Sequence, residues 1–230
     1  MKRPAIAMIE LIFAIVIMGI VLMSAPTLIS TASKSVYTTL IQEAIHIGAS
    51  QTNMIMGYHW DENDADELYL DPILAVTSGS ADLNESGTTG RRKGTPIESY
   101  RTFVRSDGTA DLPASTVFID AGEPENDDMD DFAGSANLIE IQDAGLVDNV
   151  ETITIDINTS ISYSADSVSG GYNQSSITYN PFSSSGGTTN IKSIVVTLSS
   201  TSGEDELKKS IGLRAFTCNI GGYKLAERDF

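Results

Sequence analysis

By the pattern of its apolar and polar residues the chain falls into three parts. It has an apolar beginning, an amphipathic continuation and a remainder in which the two kinds alternate. Leu11 to Ser33 is a run of 23 residues without one ionisable side chain. With the apolar residues before it, the run exceeds the about 20 residues a helix needs to cross a bilayer core. Glu10 stands just inside the apolar stretch, and Lys2 and Arg3 precede it. Basic flanks stay on the cytoplasmic side, so the pattern predicts a single-pass segment over 6–29, with the remaining chain beyond the membrane. Gly19 and Pro26 mark where this helix is expected to bend or partly melt, because proline deletes one helical hydrogen bond.

From Ser30 to Gly57 the pattern changes. Val36, Leu40, Ala44 and Ile47 recur at three- and four-residue spacing beside a second row of Tyr37, Ile41 and Ile45, while Lys34, Gln42, Glu43 and Gln51 fall elsewhere. This predicts an amphipathic helix that continues the stem and offers a broad apolar face to a sheet. Further on, Ile153, Ile155, Ile157, Ile161 and Tyr163 alternate with Thr154, Asp156, Asn158 and Ser162. A half-buried antiparallel strand requires that alternation. Ile194, Val196 and Leu198 alternate again; Ser202 to Asp205 supplies a turn, and Leu207, Ile211, Leu213 and Ala215 begin the return strand of a hairpin. Short strands are expected over Ile97–Val104 and Thr116–Ile119. Asp166 to Asn190, rich in Ser and Gly, reads as a long surface loop. A long helix followed by antiparallel strands is an α+β order, with a helical stem over 6–57 and a β-rich domain over 58–230.

Three polar stretches stand apart from this pattern. Asp61 to Glu67 is an acidic run expected in a solvated loop, without the spacing of an EF-hand. Arg91-Arg92-Lys93 is expected at a loop tip. Glu123 to Asp131 puts six carboxylates into nine residues, which repel one another unless water, a cation or a basic partner offsets them. Gly122 and Pro124 favour a loop there. Asp127, Asp128, Asp130 and Asp131 are the candidate ligands of a calcium ion, a hard cation that takes carboxylate oxygens; the alternative is simple solvation.

At 230 residues and 41% hydrophobic content, the chain has room for one domain beyond the stem. Its formal charge of −17 argues against nucleic acid or anionic lipid as a partner of that domain. Cys218 is the only cysteine, so no intramolecular disulfide can form, and it is expected to be a small apolar residue on a strand. His46 and His59 come without a nucleophile motif or a metal-spaced partner, and no glycine-rich loop opens a helix. No catalytic residue is assigned, and no enzyme is expected.

Glu10 separates the readings of the apolar segment. A cleaved secretory signal would have to use Met23-Ser24-Ala25, which Pro26 follows. A plain anchor would carry Glu10 at a cost of roughly 2.5–3.5 kcal/mol at mid-membrane, with no return. The sequence Ala5-Ile6-Ala7-Met8-Ile9-Glu10-Leu11 resembles the prepilin-type cleavage and methylation motif of type IV pilins and type II secretion pseudopilins. It departs from the commonest form at Ala5, Ile6 and Ala7 and in the place of Pro26. The resemblance covers about the first 30 residues. It implies a leader over 1–5, cleavage between Ala5 and Ile6, N-methylation of Ile6, and Glu10 as an assembly residue. It also implies a prepilin peptidase, other pilin subunits and an inner-membrane assembly platform as partners. With Lys2 and Arg3 gone, 12 basic residues face 31 acidic ones, a charge of −19. Domain size, long irregular loops and the lack of a disulfide suit a minor pilin. A membrane-tethered periplasmic binding or sensor domain is the reading from another class.

Overall fold

The computed structural model describes residues 4–65, 71–86, 90–99, 101–103, 112–116, 126–142, 152–200 and 207–222. The expected strand over Thr116–Ile119 beyond Thr116 and the turn from Ser202 to Asp205 lie outside these residues, as do Lys2 and Arg3. Helix α1 spans Pro4–Ile55 and runs unbroken through Gly19 and Pro26, so the expected partial melting does not occur. Proline inside a helix costs about 3 kcal/mol, and long helical flanks on both sides absorb that loss. The hydroxyls of Ser24, Thr27 and Thr31 donate to the carbonyls of Val21, Ser24 and Thr27 at 3.0, 2.7 and 2.8 Å. They stay within the helix on either side of the proline. At the C-terminal end the N–H groups of Met56, Gly57 and Tyr58 close the last turn onto Thr52, Met54 and Ile55.

After α1 come the short helix α2 (Glu62–Ala65) and a two-stranded ribbon, β1 (Glu85–Ser86) with β2 (Arg91–Arg92). The main sheet is an antiparallel meander of β3 (Gly134–Gln142), β4 (Thr152–Tyr163), β5 (Ile191–Ser200) and β6 (Ile211–Cys218), in that order. The chain is α+β, a long N-terminal apolar helix with an antiparallel sheet. Strand β4 follows its alternation: Ile155, Ile157, Ile161 and Tyr163 are buried, each such side chain contributing about 1.5–3 kcal/mol. Strand β3 was not expected. Its register with β4 shifts between Ser135 and Leu138, and such an irregularity breaks the two-residue period by which a strand is recognised.

The second half of α1 lies on β5 and β6. Its buried face carries Leu40, Ala44, Gly48, Thr52 and Ile55. Val36 and Ile47, expected on that face, are 53% and 37% exposed, because the seam drifts around the helix toward the row of Ala44, Gly48 and Thr52. Gly48 makes the approach possible: a Cβ there would stand 3.0 Å from Leu213 Cδ1 and 3.3 Å from Leu198 Cδ1. Gln51, expected on the polar side, is buried and donates to Thr159 Oγ1 at 2.9 Å.

Other expectations fail for identifiable reasons. Ile97–Ser99 is a 3-10 turn rather than a strand, tightened by the Ser99 hydroxyl on the Pro96 carbonyl at 2.9 Å. Phe103 forms an isolated bridge to Ile73 and donates its N–H to the Gly90 carbonyl at 2.8 Å; Val104 lies outside the described residues. Leu207 precedes β6 and packs with Leu40. Arg92 turns inward, donating to the Leu83 carbonyl at 2.7 Å, the Asn219 carbonyl and Asn190 Oδ1. The 166–190 segment is irregular as expected, but its ends are buried. Asp166 accepts from the main chain of Ser80 at 2.8 Å and from the Asn190 side chain at 2.6 Å.

Candidate functional site

The first half of α1 stands out from the described part of the head. Every described side chain from Met8 to Ser30 is exposed, including Leu22 at 74% and Met23 at 80%. A soluble monomer rarely shows a contiguous apolar patch above a few hundred Å². The helix is long and apolar enough to cross a membrane. Glu10 is exposed within this surface. Gly19 has nothing within 4 Å of where a Cβ would stand. Ala5 and Ile6 belong to the helix by their backbone.

The charged stretches behave in the opposite way. Lys192 follows Ile191 at the start of β5, in phase with Ile194, Val196 and Leu198, and its side chain is fully buried. Its Nζ donates to the Trp60 carbonyl at 2.8 Å, Asp61 Oδ2 at 3.0 Å and Asp130 Oδ2 at 2.5 Å. Three donors are all an ammonium has. Nζ also lies 4.6 Å from the Trp60 ring centre and 5.2 Å from that of Tyr163, within the range of a cation–π contact. Asp61, expected in solvent, is 0% exposed. It accepts from the main chain of Asn63 at 3.2 Å and of Ser115 at 2.9 Å, and the Tyr163 hydroxyl stands 3.1 Å away. Burial and the Asp61 charge push the Tyr163 phenol up.

The four aspartates named as calcium ligands do not converge on one point. Asp128 Oδ1 caps the turn at 130–132, accepting from the N–H groups of Asp130 and Asp131 at 2.6 and 3.2 Å. Asp131 Oδ2 accepts from those of Asp127 and Asp128 at 3.1 and 3.3 Å. Asp130 turns inward to Lys192, so the cation that meets this stretch is an ammonium of the chain itself. Its other oxygen, Oδ1, is buried with no partner among the described residues. Burial pushes Asp130 up to about 7 and Asp128 up to about 6, against the pull of Lys192.

A cleft of about 260 Å³ opens between the end of α1 and the end of β6, lined in part by His59, Asp64, Asp71 and Cys218. His59 Nδ1 is 2.7 Å from Asp71 Oδ1 and 3.9 Å from Asp64 Oδ1. Asp71 has a positive φ of 51°, unusual for a residue with a side chain. Burial pushes Asp64 up to about 7. Burial likewise raises the Cys218 thiol, and Arg92 opposes it. Cys218 is half-buried at the end of β6.

Sequence reasoning named the stem residues and put Tyr163 on the apolar face of its strand, where it is buried, but missed Lys192 and Trp60. The signal was present, since a lysine in phase with three apolar residues of one strand must find a counter-charge inside. Comparison with protein-family models, with curated proteins and with solved structures finds no match.

Proposed function

We propose that the chain is a filament subunit of the type IV pilin and type II secretion pseudopilin kind, a minor pilin assembled through its N-terminal helix. A prepilin peptidase cuts between Ala5 and Ile6, and the new terminus is N-methylated. The subunit waits in the inner membrane with its head in the periplasm, then an assembly platform passes it into a fibre.

One observation carries the reading: a carboxylate, Glu10, in a wholly exposed apolar half-helix continuous with a half that packs on an antiparallel sheet. A plain anchor explains the apolar surface but not Glu10. In a fibre the same surface is covered by neighbouring helices, and the amine created at Ile6 can meet a neighbour's Glu10. Such pairing recovers much of the desolvation cost of both charges.

The intact mass of the protein extracted from its native membrane tests this. The expected chain begins at N-methylated Ile6. A chain that still carries Lys2 and Arg3 overturns the reading and leaves a tethered binding domain, for which the cleft beside His59 and Asp71 would be the place to look.

A further inference from the structure

The head holds an amine and a carboxyl together where water is excluded, and we propose that Lys192 and Asp130 condense into an intramolecular amide, with Asp61 carrying the protons. The proposal stands independently of the filament reading, since it concerns only the head.

Reach comes first. Nζ of Lys192 is 2.5 Å from Asp130 Oδ2, and a carbon–oxygen bond adds about 1.2 Å. The carboxyl carbon is therefore no more than about 3.7 Å from the amine, close to the near-attack range of about 3–3.5 Å. Both partners are also fixed. Lys192 is held in a strand paired on both sides, opposite Tyr163 and Thr217, and Asp130 by the turn that Asp128 caps. Rings of Trp60 and Tyr163 cover the amine.

Charge comes second. One ammonium faces two carboxylates in a buried centre, where an uncompensated charge is costly. Asp61 accepts from the main chain of Asn63 and Ser115 and from the Lys192 amine. Among the described residues the Asp130 side chain receives the lysine at Oδ2, and no donor reaches its Oδ1. Its burial favours the neutral acid, the form in which the carbonyl carbon is electrophilic and hydroxide can leave as water.

The step balances without any co-reactant. Asp61 takes one proton from the Lys192 ammonium, and the freed nitrogen lone pair attacks Cγ of protonated Asp130. Asp61 returns that proton to the departing hydroxyl, the carbon–oxygen bond breaks and water leaves. Asp61 then takes the second nitrogen proton and ends as the acid, so the centre is neutral before and after. Residue 130 becomes tied to residue 192 across a separation of 62 positions. A chain with one cysteine cannot make such a cross-link within itself by a disulfide.

The full chain, extracted in mild detergent, is denatured, digested and read by mass spectrometry. The expected product is a branched peptide joining the segments around Asp130 and Lys192, lighter than their sum by one water, with Lys192 resistant to trypsin and to amine acylation. Separate peptides, with Lys192 acylated after denaturation, would overturn the proposal. Asp61→Asn keeps the shape and removes the proton acceptor, and should slow linkage by about a hundredfold. Undiminished linkage in Asp61→Asn would remove Asp61 from the reaction. The unsubstituted chain decides the bond itself even if that variant does not fold.

Discussion

The two ends of this molecule distribute polarity in opposite senses. In the stem, apolar side chains from Met8 to Ile29 face outward, and the one carboxylate among them has no internal partner among the described residues. In the head, Lys192, Asp61 and Asp130 lie inside, the lysine amine met by both carboxyl groups of the same chain. A stem of this kind is incomplete alone, since lipid or other helices must cover it. The ammonium centre is complete alone, and its energy belongs to folding. Substitutions at the centre should therefore change the stability of an isolated molecule, and substitutions in the stem should change what it joins.

The largest effect is expected at the centre. Lys192→Ala removes the amine that Asp61 and Asp130 share, whether as an ion pair or as the proposed amide; breaking a buried pair from one side costs about 3–5 kcal/mol. Urea unfolding of the full chain in mild detergent, followed by the fluorescence of the single tryptophan Trp60, should show the midpoint collapse. An unchanged midpoint would mean that the centre is not what holds Trp60, β5 and the acidic turn together.

A second effect comes from Asp64, buried beside the cleft with its carboxyl pushed up to about 7. Its folded form holds a proton that the unfolded chain releases near pH 4. The stability this gives is complete below about pH 4 and is lost as the pH rises through about 7. Asp64→Asn can still accept the Asp61 N–H and carries no charge. It should be more stable than the unsubstituted chain by roughly 2–4 kcal/mol at pH 8, with no gain at pH 4. Paired melts at the two pH values measure this, and a gain equal at both would show that Asp64 does not titrate in this window.

The smallest effect is expected in the stem. Leu22→Ala removes a side chain that is 74% exposed and should move the same urea midpoint by less than about 0.5 kcal/mol. A larger shift would mean that stem and head are energetically one body.

The same contrast explains what could be read in advance. The stem was legible because its signals are local: a run without charge, a carboxylate at its edge, basic residues before it. The hairpin of β5 and β6 was legible because alternation is local too. The centre joins residues 61, 130 and 192, with sequence separations of 131 and 62. No window along the chain contains them together, so Asp61 and Asp130 looked like members of solvated acidic runs. Arg92 was misplaced at a loop tip for the same reason, its carbonyl partner at Asn219 lying 127 residues away. Val36 and Ile47 were placed on the buried face because periodicity finds a stripe but not which edge of it meets the sheet.

In the proposed filament the stem is covered by copies of itself or its kind, with Glu10 setting the axial position. Fractionation of native and Glu10→Leu protein between membrane and sheared fibres, in the host that makes the filament, tests it most directly. Glu10→Leu should still insert and be cleaved, since neither step uses the charge, and should then remain in the membrane fraction while the native protein appears in fibres. Equal recovery of the two in the fibre fraction would contradict the claim.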